Sequence, residues 1–201
     1  MDKIILIEWE KFYRLSVREQ QQILKTILEK ANNDKSAFVK FFRSLDYGTT
    51  SNRMIFYEAI WKNPVGWEDF LLGELNWLIN TAERKDEKAI EELSSIFYIV
   101  AGKGLSSDFY NNATKILEPR LASEIPKIRE TALEGIIEIS KSHGKGIDSQ
   151  LVNKLEKQLT DKEFDIRLYA YYGLKEFKLL PNNFQLSFKD KLQCIWKGYK
   201  Y

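Results

Sequence analysis

The feature that most constrains this chain is that part of it repeats. Ile128-Arg129-x-x-Ala132-x-x-Gly135-Ile136 is matched by Ile166-Arg167-x-x-Ala170-x-x-Gly173-Leu174, an offset of 38 residues. The segments upstream keep the same register, with Leu117 and Leu121 falling on Leu155 and Leu159. One period earlier the pattern thins. Ile90, Ser94 and Tyr98 hold the places of Ile128, Ala132 and Ile136, and Glu91 replaces Arg129. A fixed period of this length fits a pair of helices, and such pairs bury their apolar faces by stacking on the next pair.

The rest of the chain agrees with an all-α fold. Apolar residues recur at three and four throughout, which predicts about 10–11 helices in one domain over 1–201. Ten Gly and four Pro in 201 residues are too few for a chain of many β-turns. The Ile-rich start over 4–14 reads as helix or as strand. Ser16 with Glu19 forms a capping box before Ile23, Leu24, Ile27 and Leu28. Asp34 caps the helix carrying Phe38 and Phe42. Ser51 or Asn52 opens the next, which ends at Asn63-Pro64 because proline disfavours helix in the residue before it. Further helices are predicted over 66–82, from Asp86 to Gly102, and over 107–121, 126–142, 148–160 and 163–178. Ser187 with Asp190 caps the last, which holds Leu192, Ile195 and Trp196.

Asp161, Ile166, Arg167, Ala170 and Leu174 resemble the second-helix pattern of the HEAT-repeat family. The resemblance is good over 148–178 and fair over 110–142. It implies a right-handed α-α superhelix of stacked hairpins. Residues 1–100 would be degenerate hairpins, 110–178 two clearer repeats, and 187–199 a C-terminal cap helix. Arg167 is expected to pair with Asp161, fixing the hairpin turn or bridging neighbouring repeats. In the earlier copy Ser123 stands where that Asp belongs, so the same pairing is not expected there. The tetratricopeptide pattern, with a period of about 34, fits less well.

No arrangement of side chains points to catalysis. His143 is the only histidine and Cys194 the only cysteine. A transition-metal site is therefore not expected, and neither is a cofactor site. His143 sits by Gly144 at a predicted helix end, and Cys194 lies in an apolar run and reads as core. Gly102-Lys103-Gly104 and Gly144-Lys145-Gly146 lack P-loop spacing and read as helix-ending turns. Glu91 and Glu92 read as a solvated helix face. The start lacks a signal-peptide pattern, no apolar run spans a membrane, and the lone cysteine suits a reducing compartment; the expectation is a cytoplasmic protein.

Function then rests on surfaces. Lys127, Glu130, Glu134, Glu138 and Lys141 share one face of their helix. A shift of 38 brings Asp165, Leu168, Tyr172 and Glu176 into register, and a shift back brings Ala89, Glu92 and Ile96. The expected partner-binding ridge is therefore Glu92, Ile96, Glu130, Glu134, Glu138, Leu168, Tyr172 and Glu176. Its carboxylates outnumber its cations, which suits a basic protein surface better than phosphate. The leading reading is a non-catalytic scaffold or inhibitor that binds a protein through a concave helical face, a bacterial toxin-neutralising protein being one such role. The alternative comes from HEAT-like proteins that are DNA glycosylases for alkylated bases. They use a basic groove with an aromatic and an acidic group at its centre, and no such set stands out here. With a net charge of +2 the chain is far from a dedicated nucleic-acid binder. The Trp61–Trp67 corner is a second candidate contact. The C-terminal run of Phe188, Lys189, Lys191, Trp196, Lys197, Tyr199, Lys200 and Tyr201 reads either as a cap whose aromatics seal the last repeat or as a base-stacking surface.

Overall fold

The computed structural model describes residues 7–31, 34–48, 52–144 and 146–199. Part of the expected 4–14 helix, Ser51, Lys145, Lys200 and Tyr201 lie outside them. Among the described residues there is no strand, and the chain is all-α. It divides into two compact units, Met1–Ile116 and Leu117–Tyr201.

The first unit holds α1 (Trp9–Phe12), α2 (Val17–Ala31), α3 (Lys35–Ser44), α4 (Asn52–Lys62), α5 (Glu68–Glu83), α6 (Glu87–Glu92), a 3-10 turn (Leu93–Ser95), α7 (Ile96–Val100) and most of α8 (Ser107–Leu117). Its starts follow from local chemistry. The Glu19 amide donates to Ser16 Oγ (3.4 Å) while the Ser16 amide donates to Glu19 Oε2 (2.9 Å), the reciprocal pair of a capping box. Asp34 and Asp86 accept from the amides of Ala37 and Ala89, satisfying donors that a helix start leaves open. The core is aromatic. Phe38 meets Trp67 at 5.0 Å and Phe42 meets Phe70 at 5.0 Å, both edge to face, and Phe56 lies 5.7 Å from Phe38.

The predicted helix from Asp86 to Gly102 is broken in the middle. Ser94 Oγ donates to the Glu91 carbonyl (2.9 Å), a local bond that competes with the helical ladder. The 3-10 turn that follows winds at about 3.0 residues per turn instead of 3.6 and shifts the register of α7.

The second unit begins with a 3-10 stretch (Glu118–Ala122), followed by α9 (Pro126–His143), α10 (Ser149–Gln158), α11 (Phe164–Glu176) and α12 (Phe188–Trp196). The 3-10 stretch packs on α9, α10 packs on α11, and α9 packs on α11. Close approach of the last pair needs Gly173: a Cβ there would lie 2.3 Å from Ile137 Cδ1 and 2.8 Å from its Cγ1. Gly144 ends α9 in the left-handed region (φ 67°), as expected of a residue without a Cβ. Asp148 and Ser187 cap α10 and α12. Cys194 is buried with Phe164, Leu168 and Leu186 where α12 covers α11.

Candidate functional site

Three members of the expected ridge are not on a surface. Glu92 and Ile96 are fully buried in the first unit, and Leu168 is buried under α12. Ile96 opens α7 just after the change of register. Glu92 is held by partners from distant positions. Its Oε2 accepts from the Gly48 amide (2.8 Å), and its Oε1 lies 3.1 Å from the Tyr57 hydroxyl and 3.4 Å from Arg53 Nε.

Glu92 belongs to a closed ionic network. Arg53, Glu74 and Glu92 are all buried. Arg53 Nη2 donates to Glu74 Oε2, and Arg43 Nη2 lies 2.7 Å from Glu74 Oε1. The guanidinium carbons of Arg43 and Arg53 sit 4.4 and 4.5 Å from the Trp77 ring centre. Two arginines and two glutamates balance in charge. Burial nevertheless pushes the Glu74 carboxyl above its ordinary range, the pull of Arg53 and Arg43 offsetting this only in part. Burial likewise raises the Tyr57 hydroxyl well above its usual value, with Glu74 adding to the rise. Only Arg43 keeps part of its side chain in solvent; Arg53, Glu74 and Glu92 are enclosed, so the network holds the unit together and offers no carboxylate to a ligand.

The second unit carries a repeated ionic link whose partner differs from the expected one. Arg167 gives Nη1 to the backbone carbonyls of Asp161 (2.7 Å) and Lys162 (3.0 Å), and its other nitrogens go to the carboxylate of Asp190 on α12. The Asp161 carboxylate is taken instead by Arg129, through Nε (2.7 Å) and Nη2 (2.9 Å). Arg129 also gives Nη1 to the carbonyls of Ser123 (2.8 Å) and Glu124 (3.3 Å). Each arginine thus clamps the turn before its own helix by carbonyls and the following segment by a bidentate carboxylate. Ser123 is no defect, because the turn supplies only a carbonyl. For Asp161, burial opposes ionisation but the Arg129 bonds win, and its carboxyl lies below the usual range; Arg167 does the same to Asp190.

The five remaining ridge residues, Glu130, Glu134, Glu138, Tyr172 and Glu176, all belong to the second unit and are half-buried or exposed. Lys127 pairs with Glu130 (3.1 Å), and Lys141 reaches both Glu138 and Glu176 (2.9 Å each). Lys197 holds Asp165 (2.8 Å). Glu134 makes no hydrogen bond or ion pair to a described residue, and burial raises its carboxyl, with Glu130 and Glu138 adding to the rise against Lys127 and Lys141. Tyr169, absent from the sequence-based set, stands beside it. Its hydroxyl is pushed up to about 12, chiefly by burial and then by Glu134 and Glu130. The spacing of Asp165, Tyr169, Tyr172 and Glu176 is itself a helix face, and the exposed Tyr169 was one position away from the expected Leu168.

No family model, curated protein or solved structure matches the chain. Its surfaces must be read on their own chemistry. No group of three or more His, Cys, Asp or Glu among the described residues is placed to hold a metal ion. No described helix is long and apolar enough to cross a membrane.

Helix α12 covers the unit, but not with its aromatics. Trp196 is 95% exposed, Phe188 77% and Ile195 60%, and Leu192 and Tyr199 are exposed as well. The side of α12 that faces the unit carries Asp190 and Cys194. At the other candidate corner, Trp67 is core, and Trp61 is half-buried with its Nε1 donating to the Ala101 carbonyl (3.2 Å).

Proposed function

We propose that the chain is a non-catalytic protein-binding module of the HEAT-like helical-repeat type, acting as a scaffold or inhibitor, and that a basic partner surface docks on the outward face of α9 and α11. The observation that carries this reading is Glu134: a half-buried carboxylate without a described partner, beside an exposed tyrosine. Around it, Glu130, Glu138, Asp165 and Glu176 share only Lys127, Lys141 and Lys197. A cation from a partner gains an interaction there that the chain itself leaves unmade, with a carboxylate that is half-buried. The exposed Tyr169 supplies a large amphipathic contact of the kind that anchors interfaces, with Tyr172 half-buried against the Cys194 core next to it. An excess of carboxylates repels phosphate, which weighs against the nucleic-acid alternative. The Arg129–Asp161 and Arg167–Asp190 links support a superhelical stack of hairpins, and the lone buried Cys194 suits a reducing, cytoplasmic setting.

The reading is tested by affinity capture from the native cell with three baits: wild type, Glu134→Lys and Tyr169→Ala. A protein retained by the wild type should be lost from both variants, while their melting changes by less than about 0.5 kcal/mol, as for surface substitutions. Equal capture by all three would remove the surface from consideration.

A further inference from the structure

The outward side of α12 is an apolar stripe with nothing over it among the described residues. Phe188, Leu192, Ile195 and Tyr199 follow one another at four, three and four residues, and Trp196 adjoins them. Singly exposed apolar residues are ordinary; five on one short helix and its end form a patch of the kind that marks an interaction site. The stripe is turned outward for a stated reason. Asp190 must face inward to meet Arg167, and Cys194, one turn on, enters the core with it. The polar side of an amphipathic helix is thereby spent on an internal ion pair, and the apolar side is left to solvent.

The charges beside the stripe are cationic. Lys189 is exposed and Lys191 half-buried, neither with a described carboxylate partner, and the inward Asp190 contributes nothing outside. The same unit carries a surface of opposite character. The α9–α11 face combines Tyr169 and Tyr172 with five carboxylates against three lysines, and Glu134 is unpaired among the described residues. The two surfaces adjoin. Lys197, just past α12, is bound to Asp165 on α11, and Tyr199 is close enough to Tyr169 and Tyr172 to influence both hydroxyls.

We propose that the occupant of this stripe is a second copy of the chain: the apolar, lysine-flanked α12 of one copy lies on the acidic tyrosine face of α9 and α11 of the other, and the reverse contact forms about a two-fold axis near the Lys197–Asp165 junction. A two-fold interface uses the same surface on both copies, so that residue i meets j and j meets i; with the two complementary patches side by side, both contacts form at once about the axis and close the assembly at two copies. The stripe supplies the apolar contact, Trp196 and Phe188 being anchors of the type that dominate interfaces, and the lysines supply the cations that Glu134 lacks. The proposal rests on the reading of the α9–α11 face as a docking surface and names its partner.

The test is sedimentation velocity of the purified full chain over a range of concentrations at low and high salt. Wild type should dimerise, and salt should weaken the dimer. Trp196→Ala, whose side chain touches almost nothing within the chain, and Glu134→Lys should each weaken dimerisation by at least about tenfold, the effect of losing one anchor. Lys189→Glu with Lys191→Glu should do the same. Mixing that double variant with Glu134→Lys should restore a dimer, because each acidic face then meets a cationic helix or the reverse. A wild type monomeric at every soluble concentration, a dimer indifferent to Trp196→Ala, or a mixture that stays monomeric would overturn the proposal. A monomeric wild type whose Glu134→Lys variant still loses a captured protein would overturn the self-pairing alone and leave the docking surface standing. A dimer abolished by Trp196→Ala but untouched by Glu134→Lys would show that α12 pairs elsewhere.

Discussion

The two units use arginine and carboxylate in opposite ways. In the first, Arg53 is enclosed with Glu74 and Glu92 among aromatic rings, and the burial that hides them pushes the Glu74 carboxyl up. In the second, Arg129 is buried and Arg167 half-buried, each gripping one carboxylate in bidentate fashion, and that grip pulls Asp161 and Asp190 down. Two enclosed glutamates share Arg53 in the first, whereas each aspartate has its own bidentate arginine in the second; enclosure and pairing together decide which effect wins. Desolvation grows steeply as water is excluded, whereas a geometrically good pair at partial exposure keeps its attraction at modest cost. The deep network ties α4, α5 and α6 into one core. The bidentate pairs repeat along the chain, Arg129 linking α9 to the turn before α11 and Arg167 linking α11 to α12.

The sharpest way to break this comparison is to remove one arginine from each region. Arg53→Ala takes the cation from buried Glu92 and leaves buried Glu74 with Arg43 alone, and breaking a buried pair in this way costs about 3–5 kcal/mol. Urea unfolding should show that loss as a lower midpoint. Arg167→Ala removes one bidentate partner but leaves Asp190 accepting from Ser187 Oγ (2.8 Å), so the expected cost is smaller, about 1–3 kcal/mol. Equal costs would mean that enclosure and pairing do not separate the two regions.

Acid provides a smaller and signed effect. Asp161 and Asp190 titrate below their ordinary value of 3.8 in the folded state, so the stability they add is complete above that value and is lost as pH falls through their folded values. Glu74 is shifted the other way from 4.5: its contribution is present below that value and lost as pH rises through its raised folded value. On acidification below about pH 4, where ordinary carboxylates protonate, amide exchange should therefore accelerate in α11 and α12 before it does in α4 and α5. The reverse order would contradict the assignment of signs.

Much of the scaffold was legible in the sequence, because caps and repeats are local. Ser16 with Glu19, Asp34, Asp86 and Ser187 mark helix starts by chemistry that needs only neighbours. The 38-residue repeat correctly aligned Arg129 with Arg167. What could not be read was which carboxylate each arginine takes. Asp161 is near Arg167 in sequence, yet its side chain goes to Arg129, and that choice commits Asp190 and turns the apolar side of α12 outward. A hydrophobic pattern shows that a helix has an apolar face but not that an ion pair will claim the inward position. The ridge failed at Glu92 and Ile96 for related reasons: a 3-10 turn altered the register, and Arg53 drew Glu92 inside. A signal was present, since Arg53 is a lone cation before Met54-Ile55-Phe56-Tyr57, a run that demands burial on nearly every side.

The claim that most needs testing is that the acidic tyrosine face of α9 and α11 is where this chain meets a protein. Site-specific photo-crosslinking addresses it directly, with a photoreactive residue placed at Tyr169 and, as control, at Asn153 on the exposed side of α10. Irradiation in the native cell should give a discrete crosslinked product from position 169, whether to a second copy or to another protein, and none from position 153. A product from position 153 with none from 169 would place the contact on another side of the unit and contradict the account.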